Sequence, residues 1–459
     1  MASAAEQLAS QINFGAFSKA TELKKRIWFT LGALIVYRLG TYIPIPGIDP
    51  VILAEIFRQN AGGILGMFDM FAGGALGRMT IFALNIMPYI SASIILQLMT
   101  AVSPTLEALK KEGESGRKQI NQYTRYLTVV LATAQAFGIV VGLEGMTGSA
   151  GSAVVDPGWF FRVTAVITLV GGTIFLMWLG EQITARGIGN GISLIIFVGI
   201  IAEIPAELAQ FLSQGRSGNI STPVVIGILL MMIGLVTFVV FMERALRKIH
   251  IQYPRRQVGM KVFDGGSSHL PVKVNPANVI PAIFASSLLL LPTTLATFSG
   301  SSTSPFMATM LAYFGPGQPL YLLFFTGMII FFTFFYTLNV SFKVEDVAEN
   351  LKNQNGFIPG IRPGKRTEEY LYFVVTRIVT VGAIYLAGVA LMPEILRAQL
   401  SIPFYFGGTS VLIVVAVGMD TMSQVQSHLV AHQYEGLLEK SQLRGRKRGS
   451  TTKKGPSLR

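Results

Sequence analysis

The chain has 459 residues, of which 51% are hydrophobic and only 13% charged, with a mean hydropathy of +0.53 and a formal net charge of +13. That balance excludes a soluble globular domain and defines an integral membrane protein. Cysteine is absent, which excludes a disulfide framework and any thiolate chemistry.

The first segment, 1–26, carries acidic residues and no long apolar stretch ahead of the first hydrophobic run, unlike a cleaved signal peptide or an Arg-rich transit peptide. A spanning helix needs about 20 mostly apolar residues. Runs of that kind lie near 27–43, 79–102, 126–143, 160–180, 188–204, 223–242, 278–298, 320–340, 371–392 and 404–424. They are continuous and do not alternate, so they predict ten helices and not barrel strands. Lys and Arg gather in 1–26, 103–126, 181–187, 243–273, 341–377 and 425–459. The positive-inside rule therefore puts these segments and both termini in the cytoplasm, and the net charge needs no nucleic-acid partner to explain it.

The expected fold is an all-α polytopic membrane protein. Ten spans divide into two halves of five, 27–212 and 213–424, and an odd number per half permits pseudo-symmetric inverted repeats, although no sequence repeat is visible. Loops 243–277 and 341–370 interrupt the second half, and the basic tail 425–459, apolar-poor in its end "RGRKRGSTTKKGPSLR", is expected to be disordered.

The stretch 62–91 is apolar but begins badly as a span. Its part from Ile64 to Gly77 is too short to cross a bilayer, and the glycine pairs at 62/63 and 73/74 each cost a helix interior about 1 kcal/mol per residue. A weakly helical, Met- and Phe-rich piece directly before the second span reads as a re-entrant stopper or as a fixed interfacial helix.

Titratable groups at depth are scarce. Arg38 and Asp420 lie inside apolar runs and fit helix-end or inter-helix contacts, while Glu181, Glu243 and Arg377 sit at span ends. The four histidines, at 250, 269, 428 and 432, fall outside the runs, so a deep acid–base or nucleophilic site has little support. No group has metal-ligand spacing, and "GIGNG" at 187–191 lacks the frame of a phosphate loop and reads as a tight helix start. Isoleucine recurs at helical spacing, as Ile86 with Ile90 and Ile192 with Ile196. Such pairs suit a lipid-facing surface or a buried path. Asn85, Ser91, Ser93 and Gln97 favour protein or water around the second span.

Seven stretches in order carry a resemblance: "IPIPGID" (43–49), "MFAGGALGRMTIFALNIMPYISASIILQLM" (70–99), "KKEGESGRKQINQYTRY" (110–126), "WLGEQITARGIGNGIS" (178–193), "HLPVKVN" with "VIPAIFASS" (269–287), "GFIPGIRPGKRT" (356–367) and "IPFYFGGTS" (402–410). From about residue 20 to 440 the chain resembles the SecY family, the central subunits of protein-translocation channels.

The resemblance implies a passive protein-conducting channel in the bacterial cytoplasmic (inner) membrane, with no enzymatic activity and no cofactor. It implies a waist ring of Ile86, Ile90, Ile192, Ile196, Ile283 and Ile413. It implies a plug over 64–77 carrying Ile64, Leu65, Met67, Phe68, Met70, Phe71 and Leu76. A lateral gate for transmembrane segments would lie between the second or third span and the seventh or eighth. Arg255, Arg256 and Lys261 on one loop, with Arg362, Lys365 and Arg366 on the other, would meet the ribosome and the SecA motor; Met260 stands where a basic residue is expected. Further implied partners are the small subunits SecE and SecG, signal sequences and nascent chains, SecD/SecF, YidC and the lipid bilayer. An ion-coupled secondary solute transporter is the competing reading.

Overall fold

The computed structural model describes residues 21–59, 69, 71–145, 147–148, 151–218, 221–254, 256–258, 261–263, 266–298, 318–400 and 408–449. Helix α1 (Thr21–Gly40) is followed by a turn in which Asp49 accepts from the backbone N–H of Val51 (2.9 Å) and Ile52 (3.3 Å), capping α2 (Pro50–Gln59). The second span starts later than its apolar run. Residues 72–86 form turns, with left-handed backbone at Met79 (φ 43°) and Asn85 (φ 49°), and helix α3 (Met87–Val102) begins only where Pro88 can occupy its first turn. The turn segment pairs with the chain after α1: Ile45 N–H donates to Met79 O (3.0 Å) and Ile81 N–H to Ile43 O (3.0 Å).

At Ser103 the chain bends by 98° into the short α4 (Pro104–Lys111), because Pro104 cannot continue the ladder of α3. Helix α5 (Glu114–Gly145) leads through a two-residue hairpin, β1 (Thr147–Gly148) with β2 (Gly151–Ser152), to α6 (Trp159–Arg186). The "GIGNG" turn is a helix start, as its composition suggests: Asn190 Oδ1 accepts from Ile192 N–H (3.1 Å) and Ser193 N–H (3.4 Å), capping α7 (Gly191–Arg216). Helix α8 (Thr222–Arg244) opens the second half.

That half continues into an antiparallel ribbon, β3 (Leu246–Gln252) against β6 (Ser267–Lys273), with β4 (Arg256–Val258) paired to β5 (Lys261–Phe263) between them. Then follow α9 (Ile280–Phe298), α10 (Pro319–Tyr336) ending in a π-helical turn (Thr337–Ser341), α11 (Val344–Asn353), α12 (Lys365–Leu400) and α13 (Gly408–Gly449). Helix α13 runs well past the last apolar run at 404–424. The stretch 425–449, expected to be disordered as part of the basic tail, is helical: it is rich in Leu, Glu, Lys, Gln and Arg, all good helix formers, and Val425 and Leu429 pack on Leu23 and Ile27 of α1.

Seven described helical stretches are long and apolar enough to cross a membrane, lying in α5, α6, α7, α8, α10 with its continuation, α12 and α13; α3 with its bent partner α4 makes an eighth. Helix α1, charged at Lys24, Lys25, Arg26 and Arg38, and helix α9 supply the remaining two expected spans. The halves meet where α9 lies against α3 and α5, and where α13 lies against α7 and α1. One large apolar cluster fills this junction, and a second one ties the β3–β6 ribbon to α11 and the start of α12.

Candidate functional site

The six isoleucines come from four helices. Ile86 is at the N-cap of α3, outside the helix proper, and Ile90 closes the first turn by donating its N–H to Ile86 O (3.1 Å). Ile192 and Ile196 lie in the first two turns of α7, Ile283 in the first turn of α9 and Ile413 in the second turn of α13. Ile86, Ile90, Ile196 and Ile413 are buried, and Ile192 and Ile283 are partly buried against the same cluster. Ile192 also packs on Gly180 of α6, where an added Cβ would stand 3.1 Å from its Cγ1. The cluster continues into Phe71 and Leu76, both buried. Ile64, Leu65, Met67, Phe68 and Met70 lie outside the described residues. A patch of branched alkyl groups offers no atom to coordinate an ion, and among the described residues no group of His, Asp or Glu could hold a metal.

The seam between halves is apolar, with few polar links among the described residues, one of them Gly189 N–H to Gln424 Oε1 (2.9 Å), which joins the turn before α7 to α13. Ser287 of α9 donates its hydroxyl toward Met87 Sδ of α3 at 3.9 Å, and Ser286 turns back to Ala282 O (2.8 Å). Asp420, flagged by its depth, receives a hydrogen bond from Asn278 Nδ2 (2.6 Å), which joins α13 to the turn before α9. Glu243 accepts from Asn275 Nδ2 (2.8 Å), and Glu181 accepts two hydrogen bonds from Arg125 (3.0 and 2.8 Å). Buried and boundary charges therefore tie helices together, as the sparse pattern suggests.

One arrangement has no single-stretch signature. Arg78 donates through Nε to Gly74 O (2.9 Å) and through Nη2 to Gly73 O (3.2 Å) and to Glu203 Oε1 of α7 (3.2 Å). Arg38 of α1 donates to the same Gly73 O (3.1 Å), and both guanidinium groups lie over the Tyr42 ring. Gly73 adopts φ +65° and sits so close to Gly199 of α7 that an added Cβ would lie 2.8 Å from its Cα. Asn85 donates to Phe71 O (2.6 Å), and Asp69 accepts from Gly77 N–H (2.7 Å). Burial pushes the Asp69 carboxyl up to about 6, helped by nearby Glu203 and opposed by the Gly77 hydrogen bond and Arg78. Glu203 and Arg78 are far apart in sequence, so only a charge of each sign in otherwise apolar stretches could have flagged them.

The loops form a platform. Gln252 and Phe357 exchange backbone hydrogen bonds (2.9 Å each way), and Ile249, Ile251 and Val272 of the ribbon pack with Val344, Leu351, Ile358 and Leu371. Arg362 is exposed in a turn between Gly360 (φ +83°) and Gly364 (φ +108°), and Thr367 donates its hydroxyl to Arg362 O (3.0 Å). Lys365 and Arg366 open α12 beside it, both exposed. Arg256 and Lys261 fall on β4 and β5. Arg255 and Met260 lie outside the described residues.

A helical membrane bundle, split into halves that meet at an apolar seam and topped by a basic loop platform, has the architecture of a channel. The family comparison is specific. The SecY family model matches residues 80–422. The protein translocase subunit SecY of Pseudomonas aeruginosa is 55% identical over 426 residues, covering 93% of this chain and 95% of that one. Its counterpart in Escherichia coli (strain K12) is 53% identical over 425 residues, covering 92% and 96%. Among solved structures, one described as "The structure of a protein conducting channel" superposes with a TM-score of 0.64 at 18% identity, covering 89% of this chain and 93% of that one. Another, described as "Sec61 in the Canine ribosome-channel complex from the endoplasmic reticulum", gives 0.57 at 17% identity over 89% and 93%. The chain belongs to the SecY family. It is a multi-pass membrane subunit of a protein-conducting channel and not an enzyme, and the solute-transporter reading gains no support.

Proposed function

We propose that Ile86, Ile90, Ile192, Ile196, Ile283 and Ile413 form the waist of the channel and that residues 64–77 are its plug on the outer side. The observation that carries this is the shared burial of these side chains with Phe71 and Leu76 in one apolar cluster at the junction of the halves. A waist of branched alkyl groups excludes water and ions when empty, and yields around a translocating chain without binding it. The seam of α9 against α3 and α5, closed by apolar packing with one weak polar contact across it among the described residues, Ser287 to Met87, is the lateral gate through which nonpolar segments pass into lipid.

The platform faces the cytoplasm, as do both termini, in a bacterial inner membrane; the distribution of Lys and Arg supports that orientation. Arg362, Lys365 and Arg366, with Arg255, Arg256 and Lys261 of the other loop, offer guanidinium and ammonium groups to rRNA phosphates and to carboxylates of the SecA motor. One structural neighbour is described as an idle yeast Ssh1 complex bound to the yeast 80S ribosome, which supports a ribosome-facing platform here. On this reading SecE and SecG are small membrane subunits, signal sequences and nascent chains are clients, and SecD/SecF and YidC are accessory partners; membership of the SecY family supports it.

The test is the resting ion conductance of reconstituted channels. Ile86→Asn combined with Ile196→Asn places two amides at the waist and is expected to raise the leak while precursor translocation persists. A leak equal to wild type would remove these residues from the waist.

A further inference from the structure

The "GIGNG" turn at 187–191 is held more tightly than a helix start requires. Side chains from three other helices take its backbone N–H groups: Thr30 Oγ1 of α1 accepts from Ile188 (3.1 Å), Gln424 Oε1 of α13 from Gly189 (2.9 Å) and Thr184 Oγ1 of α6 from Gly191 (2.9 Å). Arg26 of α1 donates to Gly187 O (3.4 Å). The glycines make this closeness possible: an added Cβ at Gly187 would strike Thr30 Oγ1, one at Gly191 would strike the Gly180 carbonyl oxygen, and Gly189 has φ +86°. A small apolar cluster seals the same corner, with Leu23 and Ile27 from α1, Ile188 from the turn, and Val425 and Leu429 from α13.

The two contacts between halves therefore differ in kind. Where α9 meets α3, the polar contact among the described residues is Ser287 toward Met87 at 3.9 Å. Where α13 meets the turn, a well-formed hydrogen bond to the backbone and a separate apolar cluster hold it. A directional bond fixes register, whereas apolar surfaces exchange partners freely. The fixed corner is also close to the isoleucines. Ile192 and Ile196 follow Gly189 by three and seven residues, about 5 and 10 Å along the chain into α7, and Ile413 precedes Gln424 by eleven residues, about 16 Å along α13. Between them the two helices stay in touch, since an added Cβ at Gly418 of α13 would lie 3.9 Å from Phe197 Cε2 of α7.

We propose that Gln424 is a positioning residue of the waist: its bond to Gly189 N–H fixes α13 on the start of α7, so that Ile413 keeps register with Ile192 and Ile196 as one rigid wall while α3 and α9 part. The inference rests on the waist reading above. Opening is then one-sided, with the α7–α13 wall standing still and the α3–α9 side yielding to the translocating chain.

The experiment uses the full chain with its partner subunits in planar bilayers, read by resting ion conductance, with thermal stability as the control. Gln424→Ala removes the acceptor for Gly189 N–H and is expected to raise the resting leak about fivefold, with stability close to wild type because the side chain is exposed. Gln424→Glu keeps an acceptor in the same place and should return the leak to the wild-type level. Spin labels on Trp178→Cys of α6 and Met422→Cys of α13, both exposed positions in a chain with no native cysteine, should report one distance at rest and with a stalled precursor, and a broadened distance once Gln424→Ala is added. A wild-type leak in Gln424→Ala, an equal leak in Gln424→Glu, or a label distance that shifts when the precursor stalls overturns the role of Gln424. Any of these results beside a leaking Ile86→Asn/Ile196→Asn variant leaves the waist standing without it. A double asparagine variant that stays tight overturns the waist reading itself.

Discussion

The waist and the loop platform are closed by opposite means. In the proposed waist, isoleucines from α3, α7, α9 and α13 join one apolar cluster at the junction of the two halves, where the polar links among the described residues are few: Ser287 toward Met87 Sδ, and Gly189 N–H to Gln424 Oε1 (2.9 Å). In the platform, a backbone ladder fixes the ribbon, paired hydrogen bonds join it to residue 357, and an apolar underside pins both loops to α12. On the proposed reading the first region parts and recloses, since apolar contacts are non-directional and interchangeable. The second presents charges in fixed positions because its hydrogen bonds are directional. A channel needs both, a yielding constriction and a rigid dock.

Reversing a platform charge is the largest perturbation of that contrast. Arg362→Glu places like charge against an acidic or phosphate partner, which costs several kcal/mol at an interface, so partner affinity is expected to fall roughly a hundredfold with folding unchanged. Binding of motor and ribosome to the reconstituted variant, with its thermal stability as control, checks this; unchanged binding would dissociate the platform from docking. Next in size is a core truncation. Leu371→Ala, at a fully buried position under the ribbon, should destabilise the platform by about 2–5 kcal/mol and expose β3 and β6 to hydrogen exchange without raising ion leak. A leak in that variant would show that the two regions are mechanically one. The smallest effect is expected at the Arg125–Glu181 pair, which is partly solvent-exposed: Glu181→Gln should cost roughly 0.2–1 kcal/mol and leave both conductance and docking as they were.

Much of this was legible in the sequence because membrane insertion writes itself in long apolar runs and flanking charge. The late start of α3 was not, since the residues from Met79 to Ile86 are as apolar as a helix and only the left-handed turns at Met79 and Asn85 interrupt them. The helical tail after residue 425 was missed because its charge dominates the reading, although Val425 and Leu429 stand one turn apart and pack on α1. The isoleucine pairs could be seen at helical spacing, but spacing cannot distinguish a pore from lipid, and Ile283 and Ile413 enter only through resemblance. Arg78 and Glu203 were illegible as a pair because 125 residues separate them and the fold alone brings them to 3.2 Å.

The absence of native cysteine makes the central claim directly measurable. A single Cys is placed at Ile86 or Ile283, a secretory polypeptide carrying one Cys is stalled in membranes containing the variant, and disulfide capture after oxidation is compared with a Cys at Ile384, which is exposed on α12. Capture at the two waist positions and not at Ile384 is the predicted result. Equal capture at all three sites, or none at the waist, would contradict a path through the isoleucine cluster.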